Sequence, residues 1–244
     1  MPSMNMPWGT MAYRDTGNSA SSAVTMLFLH GTGCDADDWE GVASALPDSV
    51  RRIALEFRGH GKSTVPAELF TLSDLADDVA RFIEAEKLRR VIVAGHSLGG
   101  MVGMEVARRC GNVAVLVLLE GWTQLGVMGK AFRGERFYGG LDEHAIARVR
   151  QKSEATTGRF QPEAWEFFWQ SVKEFNGYGF LKDVRIPIAE VYGGMGRTDA
   201  SEQHLMVPRN LYIQIMWIPD AGHYLPIEKP SEVAKLCADM AEFV

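Results

Sequence analysis

The chain has 244 residues, 46% of them hydrophobic and 23% charged, which suits one large folded domain able to bury a sizeable core. Its 31 acidic and 25 basic residues give a formal net charge of -6, and no Lys/Arg run is long enough to track a phosphate backbone. General nucleic-acid binding is therefore not expected.

In chain order, residues 11 to 17 (MAYRDTG) read as a strand running into a Gly turn, and Val24 to Leu29 as a continuous apolar strand. The second strand ends in His30-Gly31-Thr32-Gly33, where two glycines let the backbone curl with its amides exposed. An acidic stretch from Asp35 to Asp38 precedes an amphipathic helix over about Asp38 to Leu46, and its carboxylates suit the positive end of that helix. Val50 to Phe57 is the next strand, closed by Arg58-Gly59-His60-Gly61-Lys62-Ser63. Thr71 and Ser73 are candidate caps for a helix that carries Leu72, Leu75, Val79, Phe82 and Ile83 at three-and-four spacing.

Val91 to Met104 reads VIVAGHSLGGMVGM. Four apolar residues make a short buried strand, Gly95 to Gly100 make a sharp turn, and an apolar small-residue helix follows to about Cys110. This is the G-x-S-x-G pattern of a nucleophile elbow, which holds a hydroxyl at the tip of a strand, with a base on one side and backbone N–H groups on the other. The tight turn forces strained angles on Ser97 and leaves no room for side chains at Gly95 and Gly99.

Strand Val113 to Leu119 follows and ends at Glu120-Gly121. Strands buried on both faces here alternate with helices, the pattern of a doubly wound, mostly parallel α/β sheet. The regularity breaks at Trp122. From 122 to 184 two or three helices are expected, near Asp142 to Lys152 and Pro162 to Glu174, in a stretch rich in aromatic residues. The simplest arrangement is a small helical cap (lid) inserted into a core made of 1–121 and 185–244. The sheet resumes with Ile186 to Tyr192 and Leu211 to Ile218, followed by Pro219-Asp220-Ala221-Gly222-His223, and Pro230 opens a closing helix.

With His30-Gly31 after one strand, the Arg58 to Ser63 turn after the next, Gly95 to Gly100 at the elbow and Asp220 to His223 near the end, the chain resembles an α/β-hydrolase. The resemblance runs from about Tyr13 to the final helix, with the cap matched least. It implies that Ser97 is the nucleophile and His223 its general base, with the backbone N–H groups of Thr32 and Leu98 forming the oxyanion hole. A serine hydroxyl is a weak nucleophile until an imidazole takes its proton, and the tetrahedral intermediate needs preorganised donors.

The third triad member departs from the pattern. The family usually places an Asp about three residues past the Gly that ends the Ile186 to Tyr192 strand; counted from Gly193, that position is Gly196. Asp199 lies in the same loop, three residues too late. Glu120 competes, because it ends the strand after the nucleophile helix, and a carboxylate directly after seven apolar residues needs a partner to satisfy it. Glu120 is the preferred acid and Asp199 the alternative. Of the other polar groups, Glu56 is expected to fix the Arg58 loop and Asp220 to brace the His223 loop. His30 and His60 should hold loop backbones, His96 should lie on the opposite side of the turn, and His144 and His204 should be at the surface.

The leading reading is a cofactor-free serine hydrolase that cleaves a carboxylic ester or related acyl bond (lactone, thioester or C–C) through an acyl-Ser97 intermediate. No phosphate loop, dinucleotide fingerprint or metal-ligand cluster competes with it, and neither a cofactor nor a metal is expected. The aromatic cap suggests a small apolar or aromatic substrate, with Trp122, Phe137, Trp165 and Trp169 as candidate contacts, although aromatics at helical spacing also serve as a cap's own core. A ligand-binding or receptor-like relative with little turnover is the alternative. Cys34, Cys110 and Cys237 are too widely spaced for a disulfide framework, no signal peptide is evident, and the apolar run Val113 to Leu119 is far too short to cross a bilayer. A cytoplasmic monomer or homodimer that needs no membrane is expected.

Overall fold

Continuous apolar runs account for the central strands of the sheet. A computed structural model describes residues 1–17, 24–127, 137–195, 202 and 204–244. Its eight strands are β1 (Ser3–Met6), β2 (Gly9–Thr16), β3 (Thr25–Leu29), β4 (Arg51–Leu55), β5 (Val91–His96), β6 (Val113–Leu119), β7 (Ile188–Gly193) and β8 (Ile213–Ile218). They lie in the order β1-β2-β4-β3-β5-β6-β7-β8. The first two joints, β1 with β2 and β2 with β4, are antiparallel, and every later pair is parallel. A doubly wound, mostly parallel α/β sheet is what the alternation predicted.

The parallel strands are buried on both faces because helices cover both. Helix α1 (Glu40–Ala45) and the closing helix α8 (Pro230–Ala241) pack one face, where Val42, Val233, Ala234 and Leu236 meet Phe28, Ala54, Ile92 and Val117. Helices α2 (Leu72–Ala85) and α3 (Leu98–Arg109) pack the other, placing Val79, Phe82 and Val102 against Leu27, Val93 and Leu118. The buried stripe of α2 is Leu72, Leu75, Val79, Phe82 and Ile83, as its spacing required. Each such side chain contributes about 1.5–3 kcal/mol of apolar burial. Thr71 alone caps α2: its hydroxyl accepts from Asp74 N–H while the Asp74 carboxylate accepts from Thr71 N–H. Ser73 instead turns outward, within reach of Arg109.

Among the helices between β6 and β7 are α4 (Glu143–Thr157), α5 (Pro162–Glu174) and α6 (Tyr178–Asp183). Helix α4 and the turn after it reach loops at the carboxyl ends of the strands, whereas the end of α6 is tied to Asn210, just before β8. Lys152 of α4 bridges Asp35 and Asp38 at 2.6 and 2.7 Å, and the Arg159 guanidinium donates to the carbonyls of Gly61 and Ser63. A short helix α7 (Leu225–Glu228) precedes α8.

Several strand bounds differ from expectation: β2 begins two residues earlier, at Gly9, and β4 runs only from Arg51 to Leu55, short of Phe57. β1 was not expected, because four residues of mixed polarity carry no alternation long enough to read. β7 begins at Ile188, after Pro187, which has no N–H to give to a ladder. β8 begins at Ile213 because Asn210 makes a turn that accepts from Tyr212 N–H and leaves Leu211 wholly exposed. Among the described residues no helix is long and apolar enough to cross a membrane.

Candidate active site

The sheet's connectivity reverses between β3 and β5: the chain leaves β3 for β4 on one side, then returns to build β5 on the other. Loops leaving the two strands there diverge and open a crevice at their carboxyl ends, the usual place for a site in such sheets. Ser97 stands in that crevice, directly after β5 and at the start of α3. Its φ of 53° and ψ of -114° lie in a region that costs a non-glycine residue of order 1–3 kcal/mol. The surroundings hold it there. Ser97 N–H donates to the Leu119 carbonyl at 2.9 Å, and its own carbonyl accepts from Gly100 N–H at 2.9 Å.

The glycines around it are required by contact. A Cβ on Gly95 would sit 2.3 Å from the Gly99 carbonyl oxygen, and one on Gly99 would sit 2.1 Å from that of Leu29. Gly31 brings the loop after β3 alongside, since a Cβ there would lie 3.3 Å from Ser97 Cβ. Thr32 follows Gly31 in that loop, and Leu98 begins α3, where the first N–H groups have no acceptor within the helix.

His223 reaches the same end of the sheet on the loop after β8. Its N–H donates to the Phe137 carbonyl at 3.0 Å, and its ring stacks on that of Phe137 with centroids 4.5 Å apart. Its carbonyl accepts from His96 Nε2 at 2.8 Å, which fixes the His96 tautomer. His96 was expected on the far side of the turn. It instead packs its ring 4.8 Å from that of His223 and ties the His223 loop to the residue before Ser97. Burial, and then the neighbouring His223, push His96 down to about 3, so it stays neutral.

Glu120, fully buried, points its carboxylate at this histidine, with Oε2 3.8 Å from His223 Nδ1. The other oxygen, Oε1, accepts from Gly193 N–H at 2.7 Å, and Glu120 N–H donates to Val191 at 2.8 Å. Glu120 has a φ of 54°, so the backbone is bent to direct this side chain. A carboxylate held beside an imidazole fixes the ring's orientation and stabilises it when it takes up a proton. Asp199, the alternative acid, lies outside the described residues, as does Gly196.

The four aromatic residues fall into two groups. Trp122 and Phe137 lie on His223: the Trp122 ring is nearly parallel to the imidazole at 6.3 Å and also meets Tyr192 at 5.7 Å. Trp165 and Trp169 of α5 form an edge-on pair at 6.0 Å, and Trp165 stacks on Phe160 at 5.0 Å beside the His60 loop.

The remaining histidines and acids settle around this frame. His30 accepts from Phe57 N–H at Nε2 and bonds the Gly31 carbonyl through Nδ1, while His60 bonds the Arg58 carbonyl, so both hold loop backbone. Burial pushes each down to about 3. His144 and His204 are exposed. Glu56 accepts from Lys62 N–H and so ties down the Arg58 loop. Asp220 does not brace the histidine loop; it is exposed, in a left-handed turn with φ 51°. Glu228 does that work, accepting from the N–H groups of Gly222, Tyr224 and Gly140 at 2.8 Å each. Its only sequence signal was an acid five residues past His223 in an otherwise apolar stretch. Among the described residues no cluster of three or more His, Cys, Asp or Glu could hold a metal ion.

The alpha/beta hydrolase family model matches residues 26–236, from β3 to the closing helix. The chain belongs to the alpha/beta hydrolase family. A curated relative is the dihydrolipoyllysine-residue acetyltransferase component of the acetoin cleaving system of Cupriavidus necator, 39% identical over 85 residues, which are 35% of this chain and 23% of that protein. The chain spans less than half the length of the curated relatives it matches. Among solved structures, the enol-lactonase of Burkholderia xenovorans LB400 superposes with a TM-score of 0.76 at 19% identity, covering 99% of this chain and 100% of that one. Est816, described as an N-acyl homoserine lactone degrading enzyme, gives 0.72 at 21% identity, covering 98% and 99%. At such identities these two establish the alpha/beta hydrolase fold.

Proposed function

We propose that this alpha/beta hydrolase is a serine-type enzyme that cleaves a carboxylic ester or a related acyl bond, lactone, thioester or C–C, of a small apolar or aromatic molecule. The observation that carries the reading is the Glu120 carboxylate 3.8 Å from His223 Nδ1, fully buried, at the end of the sheet where Ser97 is held in a strained elbow. Ser97 Oγ attacks the acyl carbon as His223 takes its proton, and Glu120 stabilises the imidazolium. The negative oxygen of the tetrahedral intermediate is received by the N–H groups of Leu98 and Thr32. His223 then returns the proton to the leaving group, and water releases the acyl group from Ser97 by the same route. Each step conserves atoms and charge and calls on no cofactor.

Residues 122–184 act as a cap in this proposal. Lys152 of α4 and Arg159, in the turn between α4 and α5, support that role through their contacts to core loops. Phe137 and Trp122, stacked on His223, form the wall nearest the reacting carbon, with Trp165 and Trp169 further out. The lactone-acting names of Est816 and the enol-lactonase agree with an acyl–oxygen bond as the target.

A panel of p-nitrophenyl esters, from acetate to decanoate with benzoate included, tests the proposal. A burst of one equivalent of nitrophenolate followed by slower turnover is expected, with kcat/KM varying along the series. No turnover of any member across neutral pH, by protein that is folded, would overturn it in favour of a binding protein with a silent site.

A further inference from the structure

Residues 137–157, between β6 and β7, touch both loops on which the proposed reaction depends: the loop after β3, with Thr32, and the loop after β8, with His223. On the first, α4 lies so close that a Cβ on Gly33, whose φ is 71°, would sit 2.8 Å from Ser153 Cα. Lys152, the residue before, reaches Asp35 and Asp38 at 2.6 and 2.7 Å. Those two acids also fold the loop on itself, since Asp38 accepts from Asp35 N–H and Asp35 accepts from Asp37 N–H. One ammonium thus pins the far end of the loop in which Thr32 stands.

On the second loop, Glu228 takes the N–H groups on either side of His223, those of Gly222 and Tyr224, and a third from Gly140 in the turn that leads into α4. Bonds to a carboxylate are charge-assisted, so this one side chain ties the turn to the loop firmly. The turn is pressed against it: Gly139 has a φ of 49°, and a Cβ there would lie 2.2 Å from both Glu228 Oε2 and Gly222 N. Where the three segments meet, a small apolar cluster separate from the two large cores joins them. It holds Cys34 from the first loop, Val149 from α4 and Tyr224 from the second, with the Tyr138 ring stacked on that of Tyr224 at 5.8 Å.

We infer that residues 137–157 are a clamp that sets the Thr32 N–H and the His223 imidazole relative to Ser97, with Lys152 and Glu228 as its two positioning residues. Neither touches the reacting atoms; each acts through the loop it holds. The inference rests on the serine-hydrolase reading. A displacement of about 1 Å in either loop is enough to slow the chemistry by up to about a hundredfold.

The test is single-turnover acylation of the full chain by p-nitrophenyl acetate, comparing wild type with Lys152→Met and Glu228→Gln. Gln keeps the shape of Glu228 but turns one accepting oxygen into an NH2 group that faces a backbone N–H. In each variant the rate at saturation should fall at least about tenfold, while the half-saturating concentration moves less than about threefold. Val79→Ala, which opens a cavity under α2 outside the clamp, lowers stability and should leave the rate unchanged, so that positioning is separated from lost stability. Should Glu228→Gln fail to fold, Tyr138→Leu, which removes the ring stacked on Tyr224, is read in its place. Rates within about threefold of wild type in the folded variants would overturn the inference and leave the serine-hydrolase reading standing. So would a loss confined to one of the two variants, a loss carried wholly by the half-saturating concentration, or a Val79→Ala variant equally slow. Folded wild type that neither turns over esters nor labels with a fluorophosphonate would end both.

Discussion

Replacing Glu120 by Gln removes one charge and changes little else. The Gln carbonyl oxygen can still accept from Gly193 N–H, which Oε1 does now at 2.7 Å, so the local backbone keeps its partner. What is lost is the attraction between a carboxylate and an imidazolium at 3.8 Å. With an effective dielectric constant of about 20, that attraction amounts to about 4 kcal/mol. Because the imidazolium forms only as Ser97 gives up its proton, the loss falls on the transition state, and at about 1.4 kcal/mol per decade it corresponds to roughly a 10³-fold fall in acylation rate. Stopped-flow acylation by p-nitrophenyl acetate measures this, alongside a thermal melt expected within about 3 °C of wild type. A fall of less than about tenfold in folded protein would refute the role given to Glu120. The same measurement on Asp199→Asn, expected to change the rate less than about threefold, would transfer the role to Asp199 if that variant lost the 10³-fold instead.

Gly99→Ala should destabilise the fold by about 3 kcal/mol or more in urea unfolding, because its Cβ would meet the Leu29 carbonyl at 2.1 Å, and that carbonyl is backbone of β3, near the centre of the sheet, which cannot move aside; a loss under about 1 kcal/mol would show that the elbow has slack. Lys152→Met leaves Asp35 and Asp38, 19% and 11% exposed, without their shared cation, and should cost about 1–3 kcal/mol in the same assay. The two carboxylates hold the Lys152 ammonium charged beyond its ordinary range even though burial opposes it. Glu190 supplies a pH test. Burial, reinforced by Glu120 and opposed by the Tyr192 hydroxyl that donates to it at 2.9 Å, raises its carboxyl to about 7. Between pH 4.5 and 7 the folded chain therefore holds a proton the unfolded chain has lost, so stability falls as pH rises through that window, by about 3 kcal/mol in all, and levels off above it. Glu190→Gln should flatten that part of the profile of melting temperature against pH, and an unchanged slope would show that Glu190 ionises freely.

The parallel sheet was legible because its strands are buried on both faces and read as unbroken apolar runs, and because α2 keeps a clear three-and-four spacing. Ser97 was legible for a steric reason. The glycines around it are dictated by contacts of 2.1 to 2.3 Å, so the constraint is written into the local sequence. Glu120 showed itself as a charge at the end of an apolar strand, an anomaly that burial makes expensive.

What escaped notice acts at long range. His96 follows the strand pattern and gives no hint that its ring will bond a carbonyl 127 residues away. Glu228 looks like any acid in a helical stretch, yet it collects three amides from the turns around His223. β1 is short, and pairing with β2, not its own pattern, makes it a strand. The separation of the four aromatics into a pair on His223 and a pair by the His60 loop depends on how the helices between β6 and β7 settle, which their spacing alone does not encode.

An activated Ser97 reacts covalently with a fluorophosphonate, and intact-mass detection reads that reaction per chain. One phosphonyl group per chain is expected on wild-type protein near neutral pH, none on Ser97→Ala, and greatly slowed labelling of His223→Ala. Folded wild-type protein that stays unlabelled, or a Ser97→Ala variant that labels as readily as wild type, would contradict it.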